Sequence, residues 1–104
     1  MTELIGKQKR FLRAQANHLK PVFSVGKNGL SKIWLAEITK TLDNQELIKV
    51  NVLQNSDVTV DDVKRYIEDN SEIAVVQTIG RILLLFKPSA DKDKRDISKD
   101  VFNI

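Results

Sequence analysis

Gly26-Lys27-Asn28-Gly29 places one lysine and one asparagine between two glycines. Glycine allows backbone dihedrals and close approaches that a Cβ would obstruct. Lys27 adds a mobile point charge, and Asn28 can cap the turn or donate from its amide. If a helix follows, its first amides can also meet a phosphate oxygen. This chemistry suits contact with a phosphate backbone, which positions a nucleic acid without reading its sequence. A structural strand-to-helix turn with an incidental lysine explains the same four residues. A nucleotide-binding loop does not, since neither G-x-x-x-x-G-K-[ST] nor G-x-G-x-x-G is present.

A second basic group, Lys9, Arg10 and Arg13, precedes the turn. On a helix Lys9 and Arg13 share one side, with Arg10 adjacent, so the three could contact successive phosphates. As a bland alternative they form a solubilising face. Lys20, Lys27 and Lys32 extend the basic track across the turn, and Lys49 and Arg81 are secondary candidates on outward sheet surfaces. Residues 1–40 hold eight Lys or Arg against two acids, while residues 41–88 hold five against eight. The basic excess therefore lies wholly in the first part of the chain, where a polyanion would be steered.

Catalytic chemistry finds little to work with. No cysteine is present, which excludes disulfides and thiol nucleophiles and removes the strongest zinc ligands. His18 is the single histidine and reads as a local hydrogen-bonding residue. Ser31 has no base beside it, and Asp61-Asp62 and Glu68-Asp69 read as helix capping and surface charge. No pair makes a general acid and base. No metal or other cofactor is expected, and an enzyme is the weakest of the functional classes.

The elements that must position the basic residues follow from periodicity. Residues 6–19 predict a helix with Gln8, Leu12, Gln15, Ala16 and Leu19 on one stripe. Pro21 ends it and begins a strand over residues 22–25. Ser31 is the expected N-cap of a second helix reaching about Leu42, with Leu35, Ile38 and Leu42 inward and Trp34 packing at the edge. Asp43-Asn44-Gln45 reads as a loop, followed by a strand over residues 46–53. Its alternation puts Ile48, Val50 and Val52 on one face and Leu47, Lys49 and Asn51 on the other. Thr59 and Asp62 resemble a capping box for a helix over residues 60–70. Residues 73–78 and 81–87 should form a hairpin about Ile79-Gly80. Residues 89–104 alternate Asp with Lys or Arg and read as a charged tail, loose or weakly docked through Ile97, Val101, Phe102 and Ile104. At 104 residues the chain fits one α/β domain with helices covering a mixed sheet. No segment has the length of a signal or membrane-spanning core, so a cytoplasmic protein is expected.

Together, Lys7 through Arg13, Leu19-Lys20-Pro21, Gly26-Lys27-Asn28-Gly29-Leu30, Glu46 through Val50 and Ile79-Gly80-Arg81 resemble the bacterial YhbY-like RNA-binding proteins and their shared CRM domain. The resemblance spans about residues 3–88, so residues 1–88 are the expected domain and residues 89–104 the tail. It implies a compact α-β-α-β-α-β-β domain with a four-stranded mixed sheet, similar to the C-terminal domain of bacterial translation initiation factor three. Carried onto this chain, it puts Gly26, Lys27, Asn28 and Gly29 in an RNA-binding loop and Lys9, Arg10 and Arg13 on the RNA backbone. One departure is Leu85-Phe86-Lys87, where many relatives have tyrosine followed by arginine.

The resulting expectation is a non-enzymatic, monomeric RNA-binding factor. Its implied partner is structured rRNA in a precursor of the large ribosomal subunit, with room for contacts to ribosomal proteins. The rival reading is a protein-interaction module whose basic face docks an acidic ribosomal or regulatory protein.

Overall fold

Alternation along the central strands decides the layering of the domain. The computed structural model describes residues 4–26 and 29–104. Strands β1 (Pro21–Val25), β2 (Leu47–Val52), β3 (Ala74–Ile79) and β4 (Ile82–Phe86) form one sheet in the order β1-β2-β4-β3. β1 and β2 are parallel, whereas β4 runs antiparallel to both of its neighbours. The sheet is therefore mixed, as expected.

Because successive strand residues point to opposite faces, Ile48, Val50 and Val52 of β2 join Leu83 and Leu85 of β4 on one face. Helix α2 (Lys32–Gln45) lays Leu35, Ile38 and Leu42 on that face, and α3 (Val60–Asn70) adds Val63 and Ile67. The other face presents Leu47, Leu84, Phe86 and Val76. There α1 (Gly6–Gln15) contributes Leu12, and a following 3-10 turn (Ala16–His18) contributes Ala16. The two helical crossovers thus share one face, and α1 takes the opposite one.

Local signals account for most element ends. The Ser31 hydroxyl accepts from the Trp34 amide at 3.0 Å, the predicted N-cap of α2. Thr59 and Asp62 form the predicted reciprocal capping box, with bonds of 2.9 and 3.1 Å. The Thr59 amide, which donates to the Asp62 carboxylate, is the main reason that this carboxyl titrates below its usual range, with the Thr59 hydroxyl beside it adding to the effect. Gly80, at φ 57, and Arg81 close the hairpin between paired Ile79 and Ile82. Positive φ at only the first of two turn residues is the type II′ pattern.

The expected loop at Asp43-Asn44-Gln45 is instead the last turn of α2. Glu46 ends the helix in the left-handed region at φ 64, while its amide still reaches the Leu42 carbonyl at 2.7 Å. Composition suggested a break here, but contacts made by Asp43 and Glu46 to distant residues hold the helical turn. Asp43 pairs with Lys87 and accepts from the Ala90 amide at 3.0 Å. The Lys87 hydrogen bond is the main reason its carboxyl titrates below the ordinary value.

Residues 89–104 pack on the domain. A 3-10 turn (Lys92–Lys94) leads to a short helix, α4 (Ile97–Val101), whose Val101 is fully buried in the core beneath α1. Phe102 sets its ring edge-on to Phe86 with centroids 6.1 Å apart. Gln8 of α1 donates to the Val101 carbonyl at 3.4 Å, so the end of the chain helps seat the first helix.

Candidate nucleic-acid interface

α1 is the platform for the first basic group. Leu12 and Ala16, four residues apart, point into the core, which leaves Lys9, Arg10 and Arg13 exposed on the outer side. A spacing of four puts the Cβ atoms of Lys9 and Arg13 about 5–6 Å apart. No Asp or Glu occurs anywhere in residues 4–36, a stretch that contains seven Lys or Arg. The positive field of this surface therefore has no acid of its own segment to offset it.

The glycine turn sits at the far end of β1. The Gly29 amide donates to the Gly26 carbonyl at 3.0 Å, closing the turn. Gly29 has φ +68, and an added Cβ would lie 4.0 Å from Val58, so backbone conformation rather than crowding makes glycine the suitable residue. At Gly26 a Cβ would meet Leu53 at 3.6 Å, an ordinary contact. Lys27 and Asn28, named for this loop from the sequence, lie outside the described residues.

Lys20 and Lys32 are both exposed, at the start of β1 and the first turn of α2 respectively. The five-residue strand between Lys20 and Gly26 separates these two parts of the surface by roughly 20 Å at 3.3 Å per residue. The basic track is therefore extended rather than one cluster. Lys49 is half-buried on the second face of the sheet and donates to the Leu19 carbonyl at 3.1 Å. Arg81 is exposed at the hairpin tip, beside a depression that also includes Asp57 and Thr59.

Other polar and aromatic residues are used by the fold. Trp34 is half-buried against the first core and donates from Nε1 to the Ser24 carbonyl at 3.2 Å. Phe86 is fully buried, and Lys87 is neutralised by Asp43, so the Phe86-Lys87 departure falls on the core and an internal ion pair. His18 is exposed in the 3-10 turn. Among the described residues, no group of three or more His, Cys, Asp or Glu is arranged to hold a metal ion. Likewise, none of the described helices is long and apolar enough to cross a membrane.

The architecture has counterparts. The CRS1 / YhbY (CRM) domain matches residues 4–87, most of the chain. The chain belongs to the CRM domain family. Its resemblance to YhbY-like proteins and its mixed four-stranded sheet agree with that assignment.

The "Probable RNA-binding protein YqeI" of Bacillus subtilis is 43% identical over 94 residues, covering 90% of this chain and 98% of the relative. A Haemophilus influenzae protein named "RNA-binding protein" is 45% identical over 91 residues, covering 88% and 92% of the two chains. Among solved structures, that of SAV1595 from Staphylococcus aureus superposes with a TM-score of 0.70 at 34% identity, covering 90% of this chain and 98% of that one. The CRM family is an RNA-binding protein family. The shifted carboxylates Asp43, Glu46 and Asp62 each accept backbone amide hydrogen bonds and serve the fold.

Sequence reasoning passed over Glu46. Its side chain is 1% exposed, and its carboxylate accepts from the amides of Ser89 at 2.7 Å, Asp96 at 2.8 Å and Ser98 at 3.2 Å. Burial opposes ionisation and is the largest single influence, but together the hydrogen-bond donors, led by the Asp96 amide, hold its pKa below the ordinary value. Through this residue the chain end is fastened to the end of α2. No local pattern could have signalled it, because every donor lies more than forty residues away.

Proposed function

We propose that this CRM domain is a cytoplasmic, monomeric assembly factor that binds structured rRNA in precursors of the large ribosomal subunit. Lys9, Arg10 and Arg13 of α1 contact the RNA backbone, and the Gly26–Gly29 loop brings Lys27, Asn28 and backbone donors to it. Lys20 and Lys32 extend the contact along the edge of the domain, with Lys49 and Arg81 in secondary positions. The supporting observation is the acid-free stretch over residues 4–36, which carries α1, β1, the loop and the start of α2. The choice of ribosomal RNA rests on the resemblance to YhbY-like proteins.

Such binding requires no nucleotide hydrolysis. Cations displace counterions from the RNA, and shape selects a helical region or a bulge. Crosslinking in cells, followed by identification of RNA and protein partners, tests the reading. The native chain should enrich large-subunit precursor RNA, and a folded Lys9→Ala/Arg13→Ala/Lys27→Ala variant should lose that enrichment. Recovery of an acidic protein partner without precursor rRNA would replace this reading with a protein-interaction role.

A further inference from the structure

α1 leaves part of the second sheet face uncovered. Register identifies the open strip: Lys49 of β2 pairs with Leu84 of β4, which pairs with Gln77 of β3. One step towards the glycine-loop end, Asn51 pairs with Ile82. A β-bulge between Val75 and Gln77 lets Val76 enter the core while Gln77 also reaches this face beside Leu84. Arg13 and Asn17 form the wall on the α1 side. The result is a groove of about 230 Å³.

We propose that this groove receives a single unpaired nucleotide extruded from structured RNA, a reading that rests on RNA being the partner. Its floor is apolar, formed by Ile82 and Leu84, and can cover one face of a planar base. The amides of Gln77 and Asn17 offer both donors and acceptors to the base edge. Arg13 and Lys49 place two cations at the groove for the flanking phosphates, and no acidic residue lines it. Lys49 is already tethered through its bond to the Leu19 carbonyl, so less ordering is needed on binding.

Position also favours this occupant. The groove lies between the α1 cations and the strand ends next to the glycine turn, so RNA backbone spanning both would pass over it. At 230 Å³ it is smaller than the roughly 300–1,000 Å³ of clefts for drug-sized ligands, which suits one base rather than a stacked pair. Splayed bases in loops and bulges are the usual targets of specific RNA recognition.

The experiment compares two RNA hairpins, identical except for one bulged nucleotide, by fluorescence anisotropy at fixed salt. The native chain should bind the bulged hairpin about tenfold more tightly, the scale of one base contact. Gln77→Ala and Ile82→Ala, checked for folding by thermal melting, should each reduce that preference several-fold while retaining affinity for the paired hairpin. Equal affinity of the native chain for both hairpins would overturn the groove assignment and leave RNA binding standing. Absence of binding to either hairpin would overturn both. Should Ile82→Ala fail to fold, Gln77→Ala at the half-buried bulge decides the matter.

Discussion

Replacing Glu46 with glutamine tests whether the chain end is held by a buried carboxylate. Oε1 of Glu46 accepts from the amides of Asp96 and Ser98, and Oε2 accepts from that of Ser89. Glutamine has only one acceptor oxygen. Its better orientation keeps that oxygen on the Asp96 and Ser98 side and turns its NH2 group against the Ser89 N–H. One buried amide then loses its partner, at about 1–3 kcal/mol. The remaining two bonds lose their charge assistance, at about 1 kcal/mol each, so Glu46→Gln should destabilise the domain by about 3–5 kcal/mol. For a chain of this size that corresponds to a fall of roughly 12–20 °C in Tm. Urea denaturation at neutral pH measures the free energy directly.

The pH dependence supplies a second readout of the same contact. Glu46 has a native pKa below its ordinary 4.5. Above that ordinary value both folded and unfolded carboxylates are ionised, and the stabilisation is complete. As pH falls below it, the unfolded chain takes up a proton that the native state resists, and the advantage fades until the native carboxyl also protonates. Glutamine does not titrate, so the gap between native and variant should narrow between about pH 5 and pH 3, whereas the Asp43 contribution is common to both and cancels. A gap below about 1 kcal/mol at neutral pH, or one that stays constant on acidification, would refute the assigned role of Glu46.

Two further perturbations address the RNA surface. Lys9→Ala/Arg13→Ala should weaken binding to a structured RNA and lower the slope of log K against log salt by about 1.4–1.8, the release expected for two phosphate contacts; an unchanged slope in a salt titration would remove both residues from the interface. Gly29→Ala and Gly80→Ala each force a side chain into positive φ, at about 1–2 kcal/mol. Denaturant melts should show similar losses for the two variants, while filter binding should show reduced RNA affinity for Gly29→Ala alone; equal affinities would make the glycine turn purely structural.

Features controlled by short-range chemistry are legible along the chain. Ser31 and the Thr59–Asp62 pair cap their helices because each cap needs only residues three positions apart. Period-two alternation placed Ile48, Val50 and Val52 opposite Leu47 and Lys49 before any strand partner was known, and the spacing of Leu12 and Ala16 turned Lys9 and Arg13 outward. Family membership was legible too, since its motifs lie along most of the chain in order.

Features that depend on distant residues became visible in the fold. The fold anchored Lys49 on the Leu19 carbonyl, thirty residues away. Strand order and a bulge in β3 opened the groove between α1 and the sheet. It also turned Asp43-Asn44-Gln45 from apparent loop into helix and seated Val101 under α1, because Glu46 gathers three amides from a segment that reads locally as solvated charge. Periodicity records which face a residue takes, but a buried acceptor is satisfied by whichever donors the fold brings to it.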